Sequence, residues 1–372
     1  MEPSTSLPPP SPRLGRRFAI RLTISLAIGA AFVWFMQRAG LRVWPSRSAF
    51  AHVRWWTVGA YFALYGVVHF FRAYRWEYLL RPITKVPGRR MIAIAFIGFL
   101  AIMLLPFRMG EVVRPYLIRE KGKITGSAAM GTIAAERVLD GLYVAMLLAG
   151  ALALVPRLPL EHVYINGFHV ARLPQLGVLT VAVFGSALAV LAFFLWKRRL
   201  AEMLTAKLVG MISERLAKRM AQIIGGLADG LRSLPNPRLM IPFTIHSAIY
   251  WCTNALTMWM LGWGCGLPMT PGQGFAVMGV LAMGILMPAA PGLFGAFQLA
   301  IFAALSMYFP QSMVVEQGTA YVFLMYACQT SFHLIAGIVP IFTEKISVLA
   351  AFTQGSTSEP TDEKLPSDVP AS

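Results

Sequence analysis

The sequence predicts an all-α fold: a polytopic transmembrane helical bundle of about six full spans and two re-entrant, broken hairpins. Of its 372 residues, 57% are hydrophobic and 13% are charged, and the mean hydropathy is +0.62. A soluble domain of this size would contain about twice that charged fraction. Apolar segments of about 20 residues recur, and each could cross a bilayer as a helix. The alternating pattern of a transmembrane barrel is absent from the sequence.

A membrane surface explains the positive charge of the chain. The formal net charge is +17, and most basic residues lie in the loops between apolar segments. The positive-inside rule and anionic lipid account for such a distribution. The sequence contains no module that combines basic and aromatic residues for nucleic-acid reading, so we expect no nucleic-acid partner.

The sequence contains no recognisable catalytic set, metal site or cofactor site. Spacings typical of a Ser-His-Asp triad, a His and Asp metal site or a phosphate-binding glycine loop are all lacking. Cys252, Cys265 and Cys328 lie in or beside apolar segments without CxxC spacing, which predicts buried hydrophobic side chains. We therefore expect no cofactor, no metal and no enzymatic activity.

The membrane domain is predicted to occupy residues 15–344, between two polar tails. Residues 1–14 predict a disordered N-terminal tail, and residues 353–372 predict a disordered cytoplasmic tail. Residues 18–36 predict a first membrane helix rather than a signal peptide, because the run is long and lacks a small-residue cleavage site.

Basic loops orient the chain. A second helix is predicted at residues 56–71, and the loop after it contains Arg72, Arg75, Arg81, Lys85, Arg89 and Arg90. The positive-inside rule places this loop, and with it both chain termini, on the cytoplasmic side of the inner cell membrane. Arg72, Arg75 and Trp76 are interpreted as interfacial anchors at the inner end of the helix.

Residues 97–118 form the most unusual segment of the first half. An apolar run at 91–105 ends at Pro106, and three ionisable residues follow it: Arg108, Glu111 and Arg114. Residues 112–118 are again largely apolar. Ionisable side chains at membrane depth are costly unless paired or hydrated, so they indicate a functional site. Because both flanking loops are predicted to be cytoplasmic, the segment must be a re-entrant hairpin whose broken tip lines protein or water.

The second half repeats this order from the opposite side. The helix predicted at 128–155 completes the first half. In the second half, helices are predicted at 178–196, 240–261 and 319–341, and a second broken segment at 275–309 has flanking loops without Lys or Arg. Its tip contains Pro288, Pro291, Gly292 and Gly295; the prolines lack amide donors and the glycines permit a tight turn. Residues 199–234 predict an amphipathic helix, either on the cytoplasmic membrane surface or packed along the inner edge of the bundle.

The two halves, at residues 15–157 and 175–344, are therefore predicted to form an inverted repeat. Each consists of two helices, a broken hairpin and a further helix, and the first half starts inside whereas the second starts outside. In transporters of this kind, the substrate site lies near the midplane where the broken segments meet. We expect the tips at 106–111 and 288–295 to converge there.

Six ionisable residues are candidates for that site: Arg108, Glu111, Arg114, Glu136, Arg137 and Asp140, with charges that sum to zero. Helical spacing allows Glu111 to pair with either neighbouring arginine, and Arg137 to reach Asp140. An anionic headgroup could take an arginine, Arg108 above all, from its carboxylate partner. Helix amides after Pro106 and Gly292 would be aimed at the same place. Alternatively, the charges form a buried network that only fixes the hairpin geometry.

Other polar side chains within the helices predict interhelical hydrogen bonds. His246, Tyr250 and Asn254 share one helix face, and Gln329 and His333 share another. Hydrogen bonds between helices are the usual role of such residues in membranes.

Four motifs carry a resemblance to a known family. They are RAYRW at 72–76, LLPFRMGE at 104–111 with Arg114 after it, ERVLD at 136–140, and MPAAPGLFGAFQ at 287–298. Their order and spacing resemble the lysylphosphatidylglycerol synthase transmembrane-region family, often called flippase-like. We count Pro106, Gly110 and Gln298 of these motifs among the candidate substrate-binding residues. Two positions depart from the family pattern: Ile102 and Met103 stand where many members have Asn, and Gln298 stands where some have Glu.

The resemblance implies a lipid-handling membrane domain, which in some members is fused to a cytosolic aminoacyl-transferase; this chain resembles a stand-alone member. The first hypothesis is a protein that translocates or presents an anionic (phospho)lipid through a charged midplane site. It would act passively or by ion coupling, with Glu111, Glu136 and Asp140 as candidate proton-binding groups. The alternative is an accessory subunit or non-catalytic partner of a glycolipid, hopanoid or lipid-modifying enzyme, membrane-bound or cytoplasmic. A third hypothesis is a purely structural scaffold.

Overall fold

A computed structural model describes most of the membrane domain. The described residues are 12–38, 40–41, 44–105, 110–121, 124–158, 164–165, 168–169, 173–196, 203, 225–226, 228–286 and 290–343. The C-terminal tail, residues 1–11 and most of the predicted amphipathic helix at 199–234 lie outside them, and so do the predicted site residues Pro106, Arg108 and Pro288.

The described chain is almost entirely α-helical, which confirms the predicted fold class. The first half contains α1 (Pro12–Arg38), α2 (Trp55–Tyr74), α3 (Trp76–Leu80), α4 (Gly88–Leu104), α5 (Val113–Lys121) and α6 (Gly126–Leu154). The second half contains α7 (Leu173–Trp196), α8 (Pro237–Gly264), α9 (Pro271–Gly284), α10 (Ala296–Leu305), α11 (Gln311–Val315) and α12 (Gln317–Thr343). Between the halves, Tyr164–Ile165 and Phe168–His169 form a two-residue antiparallel strand pair that the sequence did not predict.

Local capping explains where several helices begin. The Thr125 side chain accepts a hydrogen bond from the Ala128 amide at 3.3 Å and starts α6. Thr270 and Gln273 form a reciprocal capping box at the start of α9. Each device satisfies amide donors that the first helical turn leaves without a partner. The observed boundaries therefore extend the predicted apolar runs by a few residues into their polar caps.

Helix contacts support the predicted repeat of the two halves. Helix α2 packs on α8, the two hairpins are α4 with α5 and α9 with α10, and α6 contacts α9 as α12 contacts α4. These contacts correspond between the halves when α2 is matched with α8, α4 with α9, α5 with α10 and α6 with α12. The hairpin of each half then contacts the last helix of the other half. A pseudo-two-fold axis between repeats produces such pairing. The number of full spans and the inverted direction stay predictions from hydropathy and loop charge.

The outer surface of the bundle is apolar. Large hydrophobic side chains are strongly exposed on several helices, among them Leu154 at 83%, Val178 at 69% and Phe342 at 76%. Two described segments, Gly126–Leu154 and Gln311–Thr343, also combine the length and hydropathy of a membrane span. Extensive exposed apolar surface on such helices is typical of contact with lipid.

Candidate functional site

The site is built on one turn of α6, where Glu136 and Asp140 share a helix face. Both are buried, with relative exposures of 0% and 7%. A buried carboxylate is stable only when it is paired, because the protein interior solvates charge poorly. Three arginines from three parts of the chain form ion pairs with these carboxylates: Arg75, Arg114 and Arg137.

Arg75 connects three elements. Its Nη2 donates to Oδ2 of Asp140 at 2.7 Å and lies 3.5 Å from Oε1 of Glu136. Its Nη1 donates to the Ser247 hydroxyl at 2.9 Å. The Tyr250 ring centre lies 4.9 Å from the guanidinium carbon. Because Arg75 follows α2, the carboxylates are on α6 and Ser247 is on α8, one guanidinium fixes all three helices.

The interpretation of Arg75 and Trp76 as interfacial anchors is wrong. Both side chains have 0% relative exposure, and the Trp76 indole donates to the Thr132 hydroxyl at 3.1 Å. The physical reason is that the chain does not leave the bundle after α2. It continues directly into α3, where Leu79 and Leu80 are also buried. The apolar residues after Arg75 were the sequence signal for this burial.

Arg114 pairs across to α6 rather than within its own hairpin. Its Nη1 lies 3.0 Å from Oε2 of Glu136, and its guanidinium carbon is 4.1 Å from the Trp76 ring centre. The path of its side chain crosses α4 at Gly98, where an added Cβ would overlap with it. A glycine at that position lets a buried arginine reach a second helix.

Arg137 is the most exposed member of the ion-pair network. Its Nη2 lies 2.5 Å from Oε1 of Glu136 and 3.4 Å from Oδ2 of Asp140, which confirms the predicted spacing of three residues. The side chain is 24% exposed, whereas the two carboxylates behind it are 0% and 9% exposed. Arg137 therefore presents positive charge toward the interior space of the bundle.

That space is a cavity of about 420 Å³ between the two halves. Charged side chains in its lining are Arg72, Arg137, Asp140 and Glu111. Apolar side chains from α6, α8 and α9 also line it, including Val144, Met258, Met278 and Leu281. A smaller cavity of about 120 Å³ adjoins it and shares Arg72 in its lining.

Arg72 is a site residue that was interpreted as an interfacial anchor. Its guanidinium carbon lies 4.3 Å from the Phe99 ring centre and 5.8 Å from that of Tyr250. Within the described part of the chain it forms no ion pair, and its buried Nε has no hydrogen-bond partner. Aromatic faces hold a cation in place without neutralising its charge.

The described site is therefore positive, not neutral as the sequence predicted. The four arginines at positions 72, 75, 114 and 137 outnumber the three carboxylates at 111, 136 and 140 by one charge. The prediction counted six residues and omitted the two arginines that precede α3. A net positive interior favours an anionic ligand.

Only part of the first tip belongs to the described residues. Glu111 lines the larger cavity, as predicted for a tip residue. Gly110 is buried, and an added Cβ would overlap with the backbone of Ala101 and Ile102 in α4. The absence of a side chain therefore allows the tip to fold back closely on its own helix.

The second tip is shaped by its backbone. Residues Pro291–Leu293 form a 3₁₀ turn, with φ of 77° at Gly292 and 91° at Gly295. The Gln298 side chain accepts a hydrogen bond from the Gly295 amide at 2.7 Å, and so caps the start of α10. The Tyr326 hydroxyl donates to the Gly292 carbonyl at 3.1 Å. Within this description, Gln298 has a structural role.

The described parts of the two broken segments lie close to each other, and the convergence of the tips themselves at 106–111 and 288–295 stays a prediction. The turn at Pro291–Leu293 packs on α4, and Met103 lines the smaller cavity together with Gly292. Glu111 and Leu286 line the larger cavity together. Both broken segments therefore border the same interior space.

The polar residues of α12 bond to α2, as expected. The Gln329 amide donates to the Tyr61 hydroxyl at 2.7 Å, and His333 contacts His69, Nε2 to Nε2, at 3.1 Å. His246, in contrast, bonds to the Pro242 carbonyl of its own helix at 2.7 Å. The interhelical bond predicted for His246 is thus replaced by an intrahelical one, because its outer side packs on aromatic rings.

Comparison with known families gives one match. The family described as lysylphosphatidylglycerol synthase TM region matches residues 22–337, which is well over half of the chain. The chain belongs to this family. No curated protein and no solved structure matched it in the other two comparisons. The match covers α2 to α10 entirely and includes every residue of the site described above. Together with the apolar helices, it identifies a membrane protein of a family related to lipid handling.

Proposed function

We propose that the protein binds the anionic headgroup of a membrane lipid in the central cavity and translocates or presents it across the membrane. The observation that carries the proposal is the position of Arg72, which borders the cavity without a carboxylate partner in the described chain. Arg137 borders the same cavity and is partly exposed.

The ion pairs behind the cavity support a recognition role for these two arginines. Arg75 pairs with Glu136 and Asp140, and Arg114 pairs with Glu136. These ion pairs fix the position of the α6 face. Arg72 has no such ion pair among the described residues and remains available to a ligand phosphate, whereas Arg137 borders the same cavity while it is paired with Glu136 and Asp140. Guanidinium groups bind phosphate through paired, charge-assisted hydrogen bonds, so two arginines at one cavity suit this headgroup chemistry.

The shape of the cavity suits an amphiphile. Its lining combines charged side chains with methionine, leucine and valine side chains of α6, α8 and α9. Sites for small molecules commonly combine an apolar wall with a few polar groups that fix orientation. A lipid satisfies both surfaces, because its headgroup is charged and its glycerol and acyl parts are apolar.

The membrane fold and the loop charges support a proposed location. We place the protein in the inner cell membrane with both termini cytoplasmic. After Arg72 and Arg75 are assigned to the site, Arg81, Lys85, Arg89 and Arg90 still make the loop before α4 basic. Such a loop favours the cytoplasmic side. The proposed activity makes and breaks no covalent bond.

Leaflet exchange in proteoliposomes tests the proposal. Purified protein would be reconstituted with fluorescent phosphatidylglycerol, and the accessible fraction measured by dithionite quenching. We expect protein-dependent exchange that falls about tenfold or more in Arg72→Gln, since a hydrogen bond to a charged group contributes about 1.5–3 kcal/mol. Fluorescent phosphatidylcholine, whose headgroup is neutral overall, should exchange more slowly.

The matched control is Arg81→Gln. Arg81 is a 48% exposed arginine that pairs with Glu77 on the surface, so its loss should leave exchange unchanged. Equal exchange in wild type, Arg72→Gln and protein-free vesicles would contradict the translocation proposal. If stoichiometric copurification with a lipid-modifying enzyme accompanied that result, the role of accessory subunit would replace it.

A further inference from the structure

His69, which is buried, and His333, which is partly buried, form a histidine pair that the charged network does not include. Their Nε2 atoms are 3.1 Å apart. On the other side of each ring, Nδ1 of His69 lies 3.1 Å from the Tyr65 carbonyl oxygen, and Nδ1 of His333 lies 2.7 Å from that of Gln329. The two rings are thus linked in a chain of three hydrogen-bond contacts.

This chain requires more hydrogens than two neutral rings possess. Each of the three contacts needs one ring hydrogen, because a carbonyl oxygen only accepts and the central contact joins two ring nitrogens. A neutral imidazole has one N–H, so the neutral pair supplies two hydrogens for three contacts. One added proton completes the chain: one ring becomes imidazolium and donates through Nε2 to its partner.

The pair lies next to the proposed headgroup site. Phe99 contacts both the His69 ring, at 5.6 Å between centres, and the Arg72 guanidinium, at 4.3 Å. His69 borders the larger cavity and His333 borders the smaller one, and Arg72 borders both. A proton on the pair and the charge of Arg72 therefore repel each other, and an anion in the cavity would offset both charges.

The surrounding titratable groups are few. Tyr65 and Arg72 on α2, Tyr250 on α8 and Tyr326 on α12 line the same two cavities. Across the larger cavity are the charged groups of Glu111, Arg137 and Asp140. Asp140 is already paired with Arg75 and Arg137, and Glu111 has an interaction of its own, so a headgroup anion is the counter-charge that we expect for the protonated pair.

We propose that the His69–His333 pair is a proton-binding site whose occupancy is coupled to an anionic headgroup in the adjacent cavity. The inference rests on the proposed function and extends it by naming the coupling ion. One proton adds one positive charge and one phosphodiester adds one negative charge, so joint binding leaves the interior charge unchanged. Proton coupling would then reside in this pair rather than in Glu136 and Asp140, which are held by arginines.

The pair also spans the two halves, since His69 is on α2 and His333 is on α12. When both neutral rings keep their Nδ1–H bonds to the carbonyl oxygens, loss of the proton leaves two nitrogen lone pairs facing each other at the central contact and removes a hydrogen bond between the halves. Headgroup binding and the contact between the halves are thereby linked through one proton.

Binding of dihexanoyl phosphatidylglycerol to the detergent-solubilised protein, measured from pH 5 to pH 9, tests the inference. The phosphodiester of this probe keeps one negative charge throughout the range. In wild type, we expect the Kd to rise by up to about tenfold per pH unit above the pH at which the pair releases its proton. In His69→Gln and in His333→Gln, we expect binding to persist with a Kd that does not change with pH.

The matched control is His246→Gln. This histidine also bonds through Nδ1 to a carbonyl one turn earlier and packs among aromatic rings, but it has no histidine partner. It should keep the wild-type pH dependence. The two pair variants lie on different helices, and a monodisperse elution profile would show that each is folded.

The outcomes separate the two proposals. A wild-type Kd that does not change with pH, or a pH dependence that persists in both pair variants, overturns the coupling but leaves the headgroup site intact. Absence of binding at every pH in wild type overturns the proposed function and the coupling with it.

Discussion

The two broken hairpins occupy related places in the repeat but differ in chemistry. The first brings Glu111 to the cavity wall and Arg114 into an ion pair with α6. The second, from Pro271 to Leu305, contains no Lys, Arg, Asp or Glu in its sequence. Its turn depends on two glycines with positive φ and on the capping side chain of Gln298.

This difference indicates that the two halves have different roles at the site. The first half supplies the charges that would recognise a headgroup, on α2, α5 and α6 and at the first tip. The second half supplies the backbone turn and much of the apolar wall. Substitutions in the two hairpins should therefore destabilise the protein for different reasons. In the first half the loss should be electrostatic, and in the second half it should be conformational.

The largest effect is expected for Glu136→Gln. The change removes the carboxylate charge that Arg75, Arg114 and Arg137 share, and leaves the buried Arg114 without the carboxylate that it pairs with, while Arg75 and Arg137 keep Asp140. Removing one partner of a buried ion pair costs about 3–5 kcal/mol. The free energy of unfolding in mixed micelles, measured by denaturant titration, should fall by that amount.

Glu77→Gln is the control for this change. Glu77 also pairs with an arginine, Arg81 at 2.8 Å, but both side chains are partly exposed. An exposed ion pair contributes at most about 1 kcal/mol. Equal destabilisation by the two substitutions would contradict the assignment of the buried network as the electrostatic centre of the first half.

An intermediate effect is expected for Gly295→Ala in the second hairpin. The backbone there has φ of 91° and ψ of −62°, and an added Cβ would overlap with the side chain of Phe32 in α1. A side chain in such a conformation costs about 1–3 kcal/mol. Thermal unfolding should show lower stability and no dependence of the loss on ionic strength.

Gly59→Ala serves as the comparison glycine. It lies on an exposed part of α2 with nothing within 4 Å of an added Cβ. Alanine is the better helix former by about 1 kcal/mol, so this variant should be as stable as wild type or more so. A loss of stability at Gly59 equal to that at Gly295 would argue against a conformational role for the second tip.

The smallest effect is expected at Gln298. Gln298→Leu removes the acceptor for the Gly295 amide and should destabilise the protein by about 1 kcal/mol. Gln298→Glu keeps an acceptor oxygen and should retain near-wild-type stability. If lipid exchange rather than stability changed in Gln298→Leu, the residue would belong to the binding site, as the sequence motif suggests.

Local spacing made much of the fold predictable. The apolar runs located the helices, Pro106 and the glycines near 292 located the breaks, and the three-residue step from Arg137 to Asp140 gave a correct ion pair. Each of these features depends on residues within a few positions of one another. The symmetric order of the halves was also readable, because it follows from hydropathy and loop charge.

The partners of α6 were not predictable in the same way. Arg75 reaches Asp140 over 65 positions and Arg114 reaches Glu136 over 22. The positive-inside rule places every arginine after a membrane span in the loop, so it predicted that Arg72 and Arg75 lie at the membrane surface. Arg75 lies inside only because α3 packs into the bundle. The contact between His69 and His333, which are 264 positions apart, likewise cannot be predicted from local residue spacing.

The contact between α2 and α8 has a mechanical consequence. Before the start of α2, the Arg54 amide donates to the Gly264 carbonyl at 2.8 Å, and its guanidinium lies 3.7 Å from the Trp263 ring centre. After the end of α2, Arg75 donates to Ser247. Because they are joined near both ends, we expect these two helices to move together. In a rocking motion between the repeats, the hairpins would then move relative to the α2–α8 pair.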